Sequence, residues 1–145
     1  MNAINFFRGK YSFLSNFSQS QFEYDGLTYF NSEAAFHAQK CTNPLGRVKY
    51  TLIKNPIRAK QLGRRENLPD NWEKNSYDIM YAILKVKFSN PRLKEKLLST
   101  GDAYLEEGNT WHDNRWGNCS CEKCKDIKGL NQLGRILMQI REEIA

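Results

Sequence analysis

Near residue 140 the chain reads "LNQLGRILMQIREEI", in which Leu130, Leu133, Ile136, Leu137 and Ile140 recur at three- and four-residue spacing. That recurrence places aliphatic side chains along one face of an α-helix, and the face must be buried against another element. A second stripe, Ile79, Met80, Ile83, Leu84 and Phe88, runs through "SYDIMYAILKVKF" and offers a partner of the same kind. The β content is small by comparison. "QFEY" and "LTYF" flank Asp25-Gly26, a pair suited to the positive φ angles of a two-residue hairpin turn. Pro44 and Pro56 are placed to start helices, Asn90-Pro91 to interrupt one, and Asn31 or Ser32 to cap the helix after the hairpin. The pattern predicts an α+β fold: a mainly helical, compact single domain over residues 1–145 with a short N-terminal β-hairpin.

The segment "GDAYLEEGNTWHDNRWGNCSCEKCKDIKG" lacks either period and is too long for a simple connection, which marks it as a functional loop. No apolar run reaches the ~20 residues of a membrane helix, and "MNAINFFRGK" carries no secretory core, so a cytoplasmic setting without membrane contact is expected. In that setting disulfides are disfavoured, leaving free thiols or metal for Cys41, Cys119, Cys121 and Cys124. "CSCEKC" with Cys41 as a fourth ligand is one zinc arrangement, although the two spaced pairs usual for zinc are missing. No metal or cofactor is assigned to the active site. The net charge of +6 favours polyanionic partners, but the basic residues are scattered rather than gathered in a tail.

Three polar, aromatic-rich stretches stand out: "FRGKYSFLSNF", "NSEAAFHAQK" and "EEGNTWHDNRWGN". On a helix, Glu33, Phe36, His37 and Lys40 would share one face, with Lys40 returning to within ~20° of Glu33 after a rise of ~10 Å. That distance is too long for an ordinary i,i+4 ion pair, so the two side chains would bracket a ligand. Glu107, Asp113, Arg8, Asn16, Asn109, Phe17, Trp111 and Trp116 add the carboxylates, cation, amides and rings that suit a nucleotide-like molecule. A P-loop, a Gly-rich dinucleotide turn and a G-x-S-x-G elbow are all absent. His37 and His112 could act as acid and base, although a histidine beside an aromatic more often has a structural role.

In order and spacing, "SFLSNF", the Asp-Gly hairpin, "SEAAFHAQK", "AKQLGR", "DNW", "LLSTGDAYLEEGN", "HDNRWG" and "GLNQLGRILMQIR" resemble the NADAR (YbiA-like) family over nearly the whole chain. The resemblance implies a compact, mainly helical N-glycosidase that hydrolyses a ribosyl C1′–N bond. It implies Glu33 and Lys40 as the catalytic pair, joined by Asp113. At the substrate it implies Arg8, Asn16, Phe17, Trp72, Trp116 and Gly117, with His37, Glu107 and Asn109 added by their place in the same stretches. Position 37 is His where many members have Gln, and "NCSCEKC" replaces the glycine-rich turn that often follows D-x-x-W-G. The implied substrates are ADP-ribose on guanine in DNA or a phosphoribosylated riboflavin intermediate; a non-catalytic ADP-ribose-binding module is the reading from another class. Oligomeric state is not legible.

Overall fold

The hairpin forms where the turn chemistry places it. In the computed structural model, which describes residues 2–145, Asp25 and Gly26 have φ of 50° and 87°, the left-handed pair that a two-residue turn requires. In chain order the elements are β1 (Ala3–Ile4), β2 (Phe22–Tyr24), β3 (Leu27–Tyr29), α1 (Ser32–Ala38), α2 (Pro44–Val48), α3 (Pro56–Gly63), α4 (Trp72–Lys87), α5 (Pro91–Ser99), β4 (Tyr104–Leu105), β5 (Gly108–Asn109), β6 (Asn118–Cys119) and α6 (Gln132–Ile144). Short 3₁₀ turns cover Gly9–Leu14, Lys49–Leu52 and Glu122–Cys124. The fold is α+β. Among the described residues, no helix is long and apolar enough to cross a membrane.

The chain divides into two compact units: residues 16–90, and the flanking segments up to Ser15 and from Pro91 onward. In the first unit β2 and β3 pair antiparallel, with Phe22 opposite Tyr29. Asn31, Asn43 and Asn55 each cap a helix, their side chains accepting from the backbone N–H groups of Ala34, Leu45 and Ile57. The core stripe of α4 is as expected at Met80, Ile83, Leu84 and Phe88, all buried, while Ile79 is half-buried. α2 stops at Val48 and gives way to a 3₁₀ turn, shorter than the single helix expected from Pro44 onward.

In the second unit β1 pairs parallel to β4 and β5 parallel to β6. The α6 stripe is buried at Leu133, Ile136, Leu137 and Ile140. Leu130 departs from the expectation: it lies outside the helix and is 50% exposed. The cause is Asn131, held at φ 49° with its side chain committed elsewhere. Its Oδ1 accepts from Glu107 N–H at 3.0 Å, and its Nδ2 donates to the Leu105 carbonyl at 2.8 Å and Tyr104 Oη at 3.2 Å. Gly134 lies so close to this strap that a Cβ there would sit 2.0 Å from the Leu105 oxygen.

Candidate active site

Within residues 16–90 the chemistry gathers around α1. Asn16 anchors the start of this helix: its carbonyl accepts from Glu33 N–H at 3.1 Å, and its Oδ1 accepts from Ser32 Oγ at 2.8 Å. Its amide donates weakly to Met80 Sδ at 3.6 Å, so the buried Asn16 side chain serves the fold. Ala34, Ala35 and Ala38 are fully buried, and their small side chains let neighbouring backbone approach α1 closely.

Glu33 opens the first turn, and its Oε1 lies 2.7 Å from His37 Nε2. The other ring nitrogen, Nδ1, is buried without a partner. The imidazole ring lies against Gly63 of α3, where a Cβ would stand 2.1 Å from Nδ1. His37 therefore holds Glu33 in place. Phe36 packs edge-on to the His37 ring and lies 5.2 Å from Trp72, which is buried at the start of α4.

Lys40 differs from the sequence reading. α1 ends at Ala38, and Gln39 and Lys40 continue in a tighter turn, their N–H groups bonded to the carbonyls of Phe36 and His37 at 3.1 Å each. The even helical face running from Glu33 to Lys40 is therefore broken two residues early, because the chain closes on three-residue rather than four-residue bonds. The amine is nonetheless held, donating to the Gly63 carbonyl at 3.1 Å and lying 5.9 Å from the centre of the Trp72 ring. Burial pushes its pKa below the ordinary lysine value; Glu33 and Glu66 oppose this, and Arg64 adds to it. Phe17 is half-buried with the Lys60 amine 5.9 Å from its ring.

Two residues of this unit were not singled out from the sequence. Glu66 Oε2 accepts from Tyr50 Oη at 2.7 Å, Lys49 Nζ at 2.9 Å and Cys41 Sγ at 3.0 Å. These bonds, that from Cys41 foremost, hold its carboxyl down to about 2, while burial and Glu66 push the Cys41 thiol up to about 11. Lys87, within the apolar stripe of α4, is wholly buried and donates to Ser18 Oγ at 3.2 Å, and burial lowers its pKa to about 7. The only sequence signal for Lys87 was a lysine at an inward helical position. An open cleft of about 330 Å³ runs along the hairpin, lined by Gln21, Gly26, Leu27, Thr28, Tyr29, Phe30 and Thr51, and contains none of the expected site residues.

In the other unit Asn109 organises the loop. This buried side chain donates to the Asp113 carbonyl at 2.8 Å and accepts at Oδ1 from the N–H groups of Trp111 and Asp113, each at 3.2 Å. Asp113 Oδ1 in turn accepts from Arg115 N–H at 3.1 Å and Trp116 N–H at 2.9 Å, an Asx turn that presents the half-buried Trp116. Gly117 permits a close approach, since a Cβ there would lie 2.2 Å from the Glu107 carbonyl. Glu107 is half-buried, and its carbonyl accepts from Asn118 N–H at 2.9 Å. Arg8 is exposed, its guanidinium 4.6 Å from the Phe6 ring centre, and Trp111 is 53% exposed. His112 is turned toward thiols, with Nδ1 at 3.3 Å from Cys121 Sγ and 3.4 Å from Cys124 Sγ. Cys41 belongs to the first unit, where its thiol donates to Glu66.

The expected residues thus form two sets: Asn16, Phe17, Glu33, His37, Lys40 and Trp72 in one unit, and Arg8, Glu107, Asn109, Asp113, Trp116 and Gly117 in the other. A family model, the NADAR domain, matches residues 5–145. The chain belongs to the NADAR family. Among relatives of this NADAR chain, the N-glycosidase YbiA of Escherichia coli (strain K12) is 34% identical, over 98% of this chain and 88% of its own. The chloroplastic riboflavin biosynthesis protein PYRR of Zea mays is 34% identical over 99% of this chain but only 25% of its own length. The NMR structure of E. coli YbiA superposes with a TM-score of 0.84 at 33% identity, covering 99% of this chain and 84% of that one.

Proposed function

We propose that this NADAR chain is an N-glycosidase that hydrolyses a ribosyl C1′–N bond and removes ADP-ribose from guanine bases in DNA. One observation carries the reading: a carboxylate fixed by a histidine (Glu33 by His37) lies on the same short segment as a partly desolvated amine, Lys40. The name N-glycosidase carried by a relative of nearly the same length supports the reaction class.

As the C1′–N bond breaks, its electron pair leaves with the base nitrogen, which takes up a proton, and positive charge develops on the sugar. Glu33 stabilises that charge. Lys40, whose burial favours the unprotonated amine, attacks C1′ in that form and loses a proton. The ring oxygen then leaves C1′ as an alcohol, giving an imine that water later hydrolyses to release sugar and lysine. His37 keeps the Glu33 carboxylate in position; to these the family resemblance adds Asp113, to handle the proton or orient the sugar, and Trp116, as a flat wall for ribose or base.

The name of the maize relative favours a second reading with the same chemistry, in which the substrate is a small phosphoribosyl-aminopyrimidine. Offering the purified protein an ADP-ribosylated DNA oligonucleotide and the phosphoribosyl intermediate side by side, and following base release, distinguishes the two. Activity on the DNA substrate should fall steeply with salt, because phosphate contacts release counterions. Turnover of the small substrate alone would replace the first reading with the second. Binding without turnover of either would leave a nucleotide-binding module.

A further inference from the structure

The loop that carries Asp113 and Trp116 also carries three cysteines within six residues, Cys119, Cys121 and Cys124. In the folded chain they converge with His112, and the four potential ligand atoms all lie within 4.8 Å of one another. We propose that Nδ1 of His112 and the sulfurs of Cys119, Cys121 and Cys124 bind one zinc ion. A tetrahedral zinc with Zn–S of about 2.3 Å and Zn–N of about 2.0–2.1 Å sets its donors roughly 3.6–3.8 Å apart. The observed separations of 3.3 and 3.4 Å from Nδ1 to two sulfurs fit a site that needs only small adjustment to close on the ion.

The surroundings point the same way. N–H donors converge on the sulfurs, as they do where sulfur is a thiolate ligand: His112 N–H and Cys121 N–H to Cys119 Sγ, and Asn114 Nδ2 to Cys124 Sγ, each at 3.4 Å. His112 has φ of 70°, a left-handed backbone that a non-glycine residue rarely adopts. That conformation accompanies the placement of its ring nitrogen at the sulfurs. All four cysteines are free, and pairing any two of the loop thiols would leave the third thiol and the imidazole without a common role.

Three thiolates and an imidazole select a borderline-soft ion over magnesium or calcium. Four protein ligands leave no position for water, so the site is structural rather than hydrolytic. Its effect is mechanical. The ion ties residue 112 to residues 119–124 and closes the loop around Asp113 and Trp116. The zinc site stands whichever bond the protein cleaves.

Elemental analysis of the full chain, purified reduced and without chelator from zinc-supplemented cells, should find about one zinc per chain. The Cys121→Ser/Cys124→Ser double variant should lose at least ten-fold of that content, and Cys41→Ser should keep it. Because Cys124 is buried and its loss could unfold the loop, a second measurement uses the unaltered chain. Cobalt(II) added to chelator-stripped, reduced protein should give the intense visible bands of tetrahedral cobalt together with sulfur-to-cobalt charge transfer. Wild-type protein with less than a tenth of an equivalent of zinc and no tetrahedral cobalt spectrum would overturn the proposal. So would undiminished zinc in the double variant.

Discussion

Replacing Gly63 with alanine puts a methyl group where the His37 ring already lies. The new carbon would stand 2.1 Å from Nδ1, 2.3 Å from Cγ and 2.7 Å from Cβ of His37. Ordinary carbon contacts begin near 3.4 Å, so the ring must retreat by roughly 1.3 Å or α3 must move away from it. Retreat breaks the 2.7 Å bond between Nε2 and Glu33. Overpacking costs about 1–3 kcal/mol and a lost hydrogen bond to a charged group about 1.5–3 kcal/mol, while alanine in a helix returns about 1 kcal/mol relative to glycine. The net loss is roughly 2–5 kcal/mol, which for a chain of this size lowers the melting temperature by on the order of 10 °C. Thermal and urea unfolding read it directly. In a His37→Gly background the three closest contacts disappear, so the same substitution should cost less than about 1 kcal/mol or become stabilising. Equal costs in both backgrounds, within about 0.5 kcal/mol, would refute the packing of His37 on Gly63 as the reason for glycine there.

Two further substitutions separate structure from chemistry. Glu66→Gln should destabilise the chain at neutral pH by about 1–2 kcal/mol, the depression of its carboxyl to about 2 being discounted for solvent screening. Because the folded pKa lies below the unfolded one, this stabilisation is full above the unfolded pKa of about 4.5 and is lost as pH falls toward 2. The gap between wild type and variant in unfolding free energy should close over that window; a gap constant with pH would discredit the three-donor cluster. At Asp113, asparagine retains an Oδ1 able to accept from Arg115 and Trp116, whereas alanine does not. Asp113→Asn should therefore keep the melting temperature while base release falls at least ten-fold, and Asp113→Ala should also lose about 1–2 kcal/mol of stability. Full activity in the asparagine variant would confine Asp113 to the turn.

Periodic and turn signals carried most of the fold. The Asp25-Gly26 hairpin, the Asn-Pro helix starts and the buried faces of α4 and α6 depend on local sequence, and they appear where local chemistry places them. Features that depend on long-range partners were not legible. Leu130 continues the spacing of α6, yet Asn131 fixes the start of the helix after it by bonding Leu105 and Glu107, some 25 residues away. Lys40 fits the helical face of Glu33 on paper, but α1 tightens after Ala38. At the site, the sequence pointed to Glu33, His37 and Lys40 but did not show that His37 would grip Glu33 while packed on Gly63. Nor did it show that Asn16 and Asn109, expected at the substrate, would spend their amides on the backbone and side chains around them. Cysteine spacing pointed to a metal but not to His112, because a histidine seven residues upstream of Cys119 meets the thiols only once the loop has folded.

Borohydride reduction during turnover probes the chemistry assigned to Glu33 and Lys40. With substrate present, an imine on Lys40 should be captured as a stable amine, and peptide mass spectrometry should find one sugar-derived adduct on the fragment containing Lys40. Lys40→Met should give no adduct and little base release. An active enzyme that yields no adduct, together with near-normal turnover in Lys40→Met, would rule out the lysine route and leave direct attack by water.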